Sequence, residues 1–509
     1  MDWIFFGIDQ TWLETHTRHV GGQTGSKGVG LVYNTGSRGD ITYNGTNSVY
    51  TGGDATAATG DIISIALDLD SNNIKFYKNN VLQYNLTNIL ESGADYAFGV
   101  SPYSNVAATV NFGQNPTFSG NTTAGTYTDS NGKGLFKYQP PSGFLALCED
   151  NLPTPAIKNP GEHFKTVLWT GDGNTRSITG IGFQPDLVWI KSRNAQLYHL
   201  LTNSVTGVDN TLSTNTTDAE SFSTERVLNS FDSDGFSLNV DDGSGYYGWN
   251  VSGQNMIAWC WKAGGPAVTN TDGSITSQVS ANQTAGFSIV SYTGTGAQGT
   301  FGHGLGKTPK FIILKKRDST NNWSVYHSSL GLSNTTYPNW LYLNSTVAEQ
   351  SSGTAANHPL YQRPSDSLIY LNTGTSESTN VLNGTYIAYC WAEIEGFSKF
   401  GSYVGNGSTD GPFVYCGFKP AWVMIKISSV ATNGWVIMDN ARSSNNPNGE
   451  TIFANNPDTE YTDISNREID FLSNGFKLRN GNGSERNTNG ATYIFAAFAE
   501  SPFQTANSK

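Results

Sequence analysis

Reactive chemistry in this chain would have to come from seven histidines, 41 acids and four cysteines. His16 and His19 stand three apart in a segment that reads as loop, and His163, His199, His303, His327 and His358 are scattered singly. That distribution suits isolated surface or turn histidines better than a set of metal ligands. Asp68 and Asp70 alternate onto one strand face, with Asp61 at odd separation. A carboxylate pair that cleaves a glycosidic bond needs a sugar groove around it, and the flanking residues outline none. Asp232, Asp234, Asp241 and Asp242 flank turns, where a carboxylate serves as a solvated turn former. Asp241-Asp242-Gly243 is the one short run with the composition of a calcium loop. Nucleophile-elbow, zinc-protease and phosphate-loop motifs are absent. The sequence therefore predicts no catalytic residues, no metal and no cofactor.

Binding chemistry is better supplied. Aromatic side chains beside Asn, Asp and Thr on the loops of a β-scaffold suit the faces of sugars, by stacking and hydrogen bonding. Trp12, Tyr33, Tyr43, Tyr50, Tyr246, Tyr247 and Trp249 are the candidate glycan contacts. Each competes with a plainer role, since Trp and Tyr in a β-protein usually fill a core or an interface. Trp323 and Trp435 recur eight and nine residues after a repeated lysine and are expected in the core. The repeated Lys191, Lys315 and Lys426 are expected to be structural, on strand ends from which an ammonium can reach solvent. Cys260 and Cys390 sit at matching places in a repeated strand, and no CxxC spacing exists; all four cysteines read as small buried apolar residues.

The elements that must position these groups are strands. Aromatics make up 12% of the chain and charged residues 14%, with 57 glycines among 509 residues, a balance opposite to that of a disordered chain. Short apolar runs punctuated by Gly, Asn, Ser and Thr predict an all-β protein with many turns and very little helix. A net charge of −12 excludes the basic surface that nucleic acid requires, and no apolar run approaches the ~20 residues of a membrane span. The acidic start Met1-Asp2-Trp3 does not read as a secretory signal, so folding in a reducing cytoplasm is expected.

Residues 1–118 carry their own pattern. "GDIISIALDLDSNNIKFYKNN" predicts a hairpin and a following strand, with turns at Ser71-Asn72-Asn73 and Asn79-Asn80. Further strands are expected at Tyr96–Pro102 and Val110–Gln114. These motifs, with "YAFGVSP" and "VNFGQNPTF" in the same order, resemble the SPRY domain over about residues 4–118. The resemblance implies a β-sandwich of two antiparallel sheets that binds partners through loops at one end, without catalysis. Two departures stand out: Asn80 occupies a place where the family usually has Gly, and strands expected before Ile4 are missing, so the sandwich is read as N-terminally incomplete. Residues 119–163 read as a Gly/Pro-rich connector, with Ser119–Gly134 an exposed loop.

Three repeats follow, at 164–265, 285–395 and 396–503. Each opens on an aromatic with a Gly two residues on: Trp169 and Gly171, Tyr292 and Gly294, Tyr403 and Gly405. Each continues with a Pro and, six residues later, a Lys: Pro185 and Lys191, Pro309 and Lys315, Pro420 and Lys426. Asn215, Asn344 and Asn455 follow at roughly similar places. Each closes on an aromatic, uncharged run (Met256–Trp261, Tyr386–Trp391, Tyr493–Phe498) with the pattern of a strand buried on both faces. Each repeat is expected to be one small β-sandwich, the three standing in tandem. Over 164–503 the pattern resembles an uncharacterised repeat family found beside SPRY domains in structural proteins of marine phages.

The resemblances imply a virion structural protein made in the host cytoplasm: a bacteriophage tail or capsid fibre acting in attachment to a host-surface glycan or receptor. Other virion proteins are its expected partners and a homo-trimer its expected state. Two readings compete with this one. The first is a purely architectural capsid or tail component, and the second is a polysaccharide-degrading virion enzyme, which would need an acidic pair in a groove.

Overall fold

The computed structural model describes residues 3–9, 28–34, 39–43, 46–50, 58–90, 96–103, 107–152, 154–222, 227–241, 243, 245, 247–352, 358–373, 379–431, 433–462, 467–481 and 485–503. The protein is all-β. Among the described residues the only helices are two short 3-10 turns, Glu149–Asn151 and Pro160–Glu162. The chain divides into two compact units, Met1–Pro153 and Thr154–Lys509.

In the first unit, strand Trp3–Asp9 lies between Val29–Asn34 and Ala97–Tyr103, and Gly39–Tyr43 and Thr46–Tyr50 complete a five-stranded antiparallel sheet. Ile63–Asp68, Asn73–Lys78 and Val81–Thr87 form a three-stranded meander. Val29, Leu31 and Ile41 of the first sheet share one apolar cluster with Ile74, Phe76, Tyr84 and Leu86 of the second. The two turns of the meander carry Asn72, Asn79 and Asn80 at φ 52°, 47° and 68°. Asparagine tolerates this left-handed region, which is why Asn80 can replace the expected glycine. Val110–Gln114 is not a strand. The Asn111 side chain accepts from the amides of Gly113 and Asn115, both at 2.9 Å, and this local turn competes with pairing. Nor is the start of the connector a free loop: buried Asp129 accepts from the amides of Asn131, Lys133 and Ala146.

In the second unit each repeat builds a large antiparallel sheet around the same central pair. The Lys-bearing strands Leu187–Ser192, Pro309–Lys316 and Phe418–Ile427 pair with the closing strands Asn255–Trp261, Thr385–Ala392 and Thr492–Pro502. The register is identical: Lys191 faces Ile257, Lys315 faces Ile387 and Lys426 faces Ile494. A smaller sheet accompanies each, the strands Arg176–Thr179, Leu228–Asp232 and Gly235–Leu238 in the first repeat, Gly299–Gly302 and Leu368–Leu371 in the second, and Phe413–Tyr415, Ile469–Leu472 and Gly475–Leu478 in the third.

Strand alternation sends each closing strand two ways. Met256, Ala258 and Cys260 pack with Phe236 and Leu238 of their own small sheet, and Tyr386, Ala388 and Cys390 pack with Phe301 and Ile369. The opposite face, Ile257, Trp259 and Trp261, joins Ile387, Tyr389 and Trp391 and then Ile494, Ala496 and Phe498 in one cluster common to all three repeats. Trp261 stands 6.0 Å from Trp391 and 5.7 Å from Phe498 between ring centroids. Sequence reading expects a separate core for every repeat. Here the repeats turn one face inward onto a common core, so none buries its apolar surface alone.

The opening glycines have a steric cause. A Cβ on Gly171, Gly294 or Gly405 would lie 2.1, 2.3 and 2.3 Å from the carbonyl oxygens of Val251, Val381 and Thr488. At each place the chain entering the closing strand runs against the opening strand's end. The preceding residues Asn250, Asn380 and Asn487 are wholly buried and donate to loop oxygens such as Asp172 Oδ1, Asn372 O and Ser408 O.

Candidate functional site

The seven candidate glycan contacts do not converge. Trp12 and Tyr246 lie outside the described residues, as do the side chains of Tyr33 and Tyr50, whose backbones belong to Val29–Asn34 and Thr46–Tyr50. Tyr43 is half-buried beside the first unit's core, and its hydroxyl donates to Ile89 O at 2.9 Å. Trp249 is a correction: it is buried among Ile178, Phe236 and Leu238, and its indole N–H donates to Asn239 O at 3.0 Å. It is held there because Asp241 is not a solvated turn former; its buried carboxylate accepts from the amides of Trp249 and Asn250 at 2.7 and 2.8 Å. Only Tyr247, of those whose side chains are described, is exposed (38%), edge-on to Tyr198 at 5.4 Å.

The histidines and lysines depart further from expectation, because several are buried between repeats. His199 Nδ1 accepts from Trp189 Nε1 at 2.9 Å, which leaves Nε2 to donate to Phe453 O at 2.9 Å. An indole can only donate, so this ring is neutral, and burial holds its pKa well below the usual value. His327 is built alike: Nδ1 accepts from Ser329 N, Nε2 donates to Phe495 O at 3.0 Å, and burial lowers its pKa to about 4. Both rings are fully engaged, with no lone pair or proton left for a substrate.

Lys191, Lys315 and Lys426 are at most 1% exposed and do not reach solvent. Lys191 and Lys426 each donate to three backbone carbonyls and Lys315 to two, one of them in each case on a neighbouring repeat: Pro457 O at 3.1 Å, Thr217 O at 2.9 Å and Thr346 O at 3.3 Å. Burial pushes their pKa values down, to about 7 for Lys191 and about 8 for the other two. The carbonyl oxygens oppose that effect by favouring the charged form.

These bonds close a ring. The first repeat's lysine reaches the third, the second's reaches the first, and the third's reaches the second. The receiving segments are equivalent and begin at the three repeated asparagines. Asn215 Oδ1, Asn344 Oδ1 and Asn455 Oδ1 accept from the backbone N–H of His199, Trp323 and Trp435 at 2.8, 2.9 and 2.7 Å. Two residues before each asparagine, a carbonyl (Ser213, Tyr342, Phe453) accepts the ring N–H of Trp323, Trp435 and His199 from the adjacent repeat. Five residues after it, the amides of Glu220, Glu349 and Glu460 donate to Arg317 O, Ser428 O and Arg193 O. His199 thus stands where the other repeats have Trp. Asparagine and glutamate at this common spacing are a sequence signal that could have located the seam.

Three different contacts distinguish the three seams. Asn203 Nδ2 donates to Tyr389 Oη at 3.2 Å, His327 reaches a backbone carbonyl beside small Ala496, and Asp439 accepts from Trp259 Nε1 at 3.1 Å. Asp439, Asn203 and His327 occupy equivalent register positions opposite Trp422, Leu187 and Phe311. The seam between third and first repeats, which no linker spans, also carries Arg442 between Asp439 (2.7 Å) and Glu460 (2.9 Å), while Arg193 meets Glu460 (2.8 Å) there as Arg317 meets Glu220 at the seam between second and first. Unlike contacts at like positions disfavour closure of the ring in another order.

One polar cleft of about 150 Å³ remains outside this seam chemistry, lined by Lys419, Asn440, Ser443, Ser444, Asn446, Phe471 and Glu500 of the third repeat. None of its residues was singled out from the sequence. Among the described residues no group of three or more His, Cys, Asp or Glu side chains is placed to hold a metal ion, and no helix is long and apolar enough to cross a membrane.

A closed ring of three β repeats with structural lysines at its seams defines the class of module. Residues 159–502 match the model of one family, described as a domain of unknown function (DUF7483). The match covers most of the chain, which belongs to that family. No curated protein and no solved structure matches it.

Proposed function

We propose that this chain is a non-enzymatic virion structural protein, a phage tail or capsid fibre component that recognises a host-surface glycan. One observation carries the reading: the repeated lysines and two buried histidines are spent on holding the repeats together. Lys191 and Lys426 each donate to three carbonyls and Lys315 to two, and His199 and His327 are locked as neutral donors. A scaffold built this way is rigid and leaves Asn-, Ser- and Thr-rich loops as its recognition surface. Many weak sites on a multimer, here proposed to be a homo-trimer, would act through avidity.

The test is binding of the labelled full-length protein to a panel of intact marine bacteria, run beside a reducing-end assay on their surface polysaccharide. Saturable binding that soluble polysaccharide competes away, without release of reducing ends, is the expected result. Release of reducing ends would overturn the non-enzymatic reading. Absence of any binding would leave a purely architectural role among other virion proteins.

A further inference from the structure

We infer that the cleft at Lys419, Asn440 and Glu500 is a subsite for one neutral sugar residue. This inference rests on the glycan-recognition reading above and deepens it. The cleft's volume of about 150 Å³ is roughly ten times what one water needs, yet below that of a pocket for a drug-sized ligand. Its occupant is therefore a single small polar ring.

The chemistry of the lining selects a polyol. Glu500 Oε2 accepts from both Lys419 Nζ and Asn440 Nδ2, each at 2.8 Å. Both bonds fall on one oxygen, so the carboxylate is fixed in place while Oε1 is left to accept a hydroxyl proton. Lys419 is 6% exposed, and Glu500 takes one of its three N–H directions, so it has donors to spare for a hydroxyl oxygen. Cation and anion cancel within the cleft, leaving no net field to favour a charged ligand. The hydroxyl of Ser444 adds a group that both donates and accepts, as sugar hydroxyls do, and Ser443 Oγ, which donates to Asn445 O at 3.4 Å, adds an acceptor.

The cleft is preorganised. Asn446 Oδ1 accepts from Phe471 N at 2.8 Å and its Nδ2 donates to Phe471 O at 2.9 Å. The loop that carries the serines is thereby pinned to the strand that supplies the wall. The arrangement also breaks the symmetry of the ring. Positions equivalent to Lys419, Asn440 and Glu500 are Gln184, Ser204 and Ala263 in the first repeat, and Thr308, Ser328 and Glu393 in the second. The seam lysines and asparagines recur in every copy, whereas this set occurs once, with the bonds of Glu500 to Lys419 and Asn440 lying within the third repeat.

The experiment is saturation-transfer NMR on the full chain with the methyl glycosides of glucose, galactose, mannose and N-acetylglucosamine. Methyl glucuronide supplies the charged arm, and surface polysaccharide from a bound bacterium is titrated in parallel. At least one neutral glycoside is expected to saturate, and Glu500→Gln and Asn440→Ala are each expected to weaken it tenfold or more. A charge-assisted hydrogen bond is worth about that much. Exposed Gln196→Ala should leave the affinity unchanged, and thermal unfolding should show all three variants folded. Sugar binding that persists unchanged in Glu500→Gln and Asn440→Ala would overturn the cleft assignment and leave the glycan reading standing. Binding confined to the glucuronide would overturn the neutral class. No saturable binding of any glycoside or polysaccharide would overturn both.

Discussion

Replacing Asn215, Asn344 or Asn455 by alanine should weaken the ring to a similar degree at three places far apart in the sequence. Each substitution strips the acceptor from a backbone N–H on a buried residue: His199, Trp323 or Trp435. A buried donor left unpaired costs ~1–3 kcal/mol. The loss spreads because the carbonyls two residues either side receive the neighbouring repeat's ring N–H and lysine. About 2 kcal/mol per site is the working figure. The unit Thr154–Lys509, at ~2.1 cal/mol/K per residue, has an unfolding entropy of about 0.7 kcal/mol/K. The expected drop in Tm is therefore ~3 °C for each variant. Thermal and urea unfolding followed by circular dichroism would measure it, with exposed Gln196→Ala as a control that stays within ~0.5 kcal/mol. If any of the three behaves like the control, its asparagine does not anchor the seam and the threefold argument fails.

Other outcomes follow from the same geometry. The pKa of Lys191 is depressed to about 7 in the fold from an unfolded 10.5, so between those pH values the unfolded chain binds more protons and stability rises with pH. The stability difference between a Lys191→Met variant and the parent should accordingly move in the parent's favour as pH rises from 7 to 10, as read by urea midpoints. Alanine at Gly171, Gly294 or Gly405 would force a Cβ to within 2.3 Å or less of a carbonyl oxygen; soluble yield and Tm should collapse, and a normally folded variant would refute the close approach. Trp249→Ala should cost ~3–5 kcal/mol as a core truncation, whereas exposed Tyr247→Ala should cost almost nothing; equal losses would mean that Trp249 is not the core residue of the pair. Burial raises the thiol pKa values of Cys260 and Cys390, so both should resist a thiol reagent until the protein unfolds, and rapid labelling of the native protein would refute their burial.

What could be read from the sequence was what neighbouring residues decide. Met256–Trp261, Tyr386–Trp391 and Tyr493–Phe498 lack a polar face, and each is buried on both sides. Asn72, Asn79 and Asn80 announced turns, and the turns are there. Val110–Gln114 had a strand's composition, but the Asn111 side chain bonded its own backbone first. Periodicity does not record that competition.

The sequence by itself determined that the protein is all-β, where the meander turns, and which strands are buried on both faces. All of these depend on residue type and spacing along a few turns of chain. Tertiary structure alone decided that the repeats close into a ring. A lysine at the end of an apolar strand can extend into water or be enclosed by carbonyls, and the choice at Lys191 rests on Pro457 O, 266 residues away. The same distance in sequence separated the two functions a polar residue could serve. His199 and Asp439 became seam fasteners, while Glu500, with a similar composition around it, was left at an open cleft. Side chains of the same kind have different fates because burial is set by the neighbouring repeat, and local sequence does not name that neighbour.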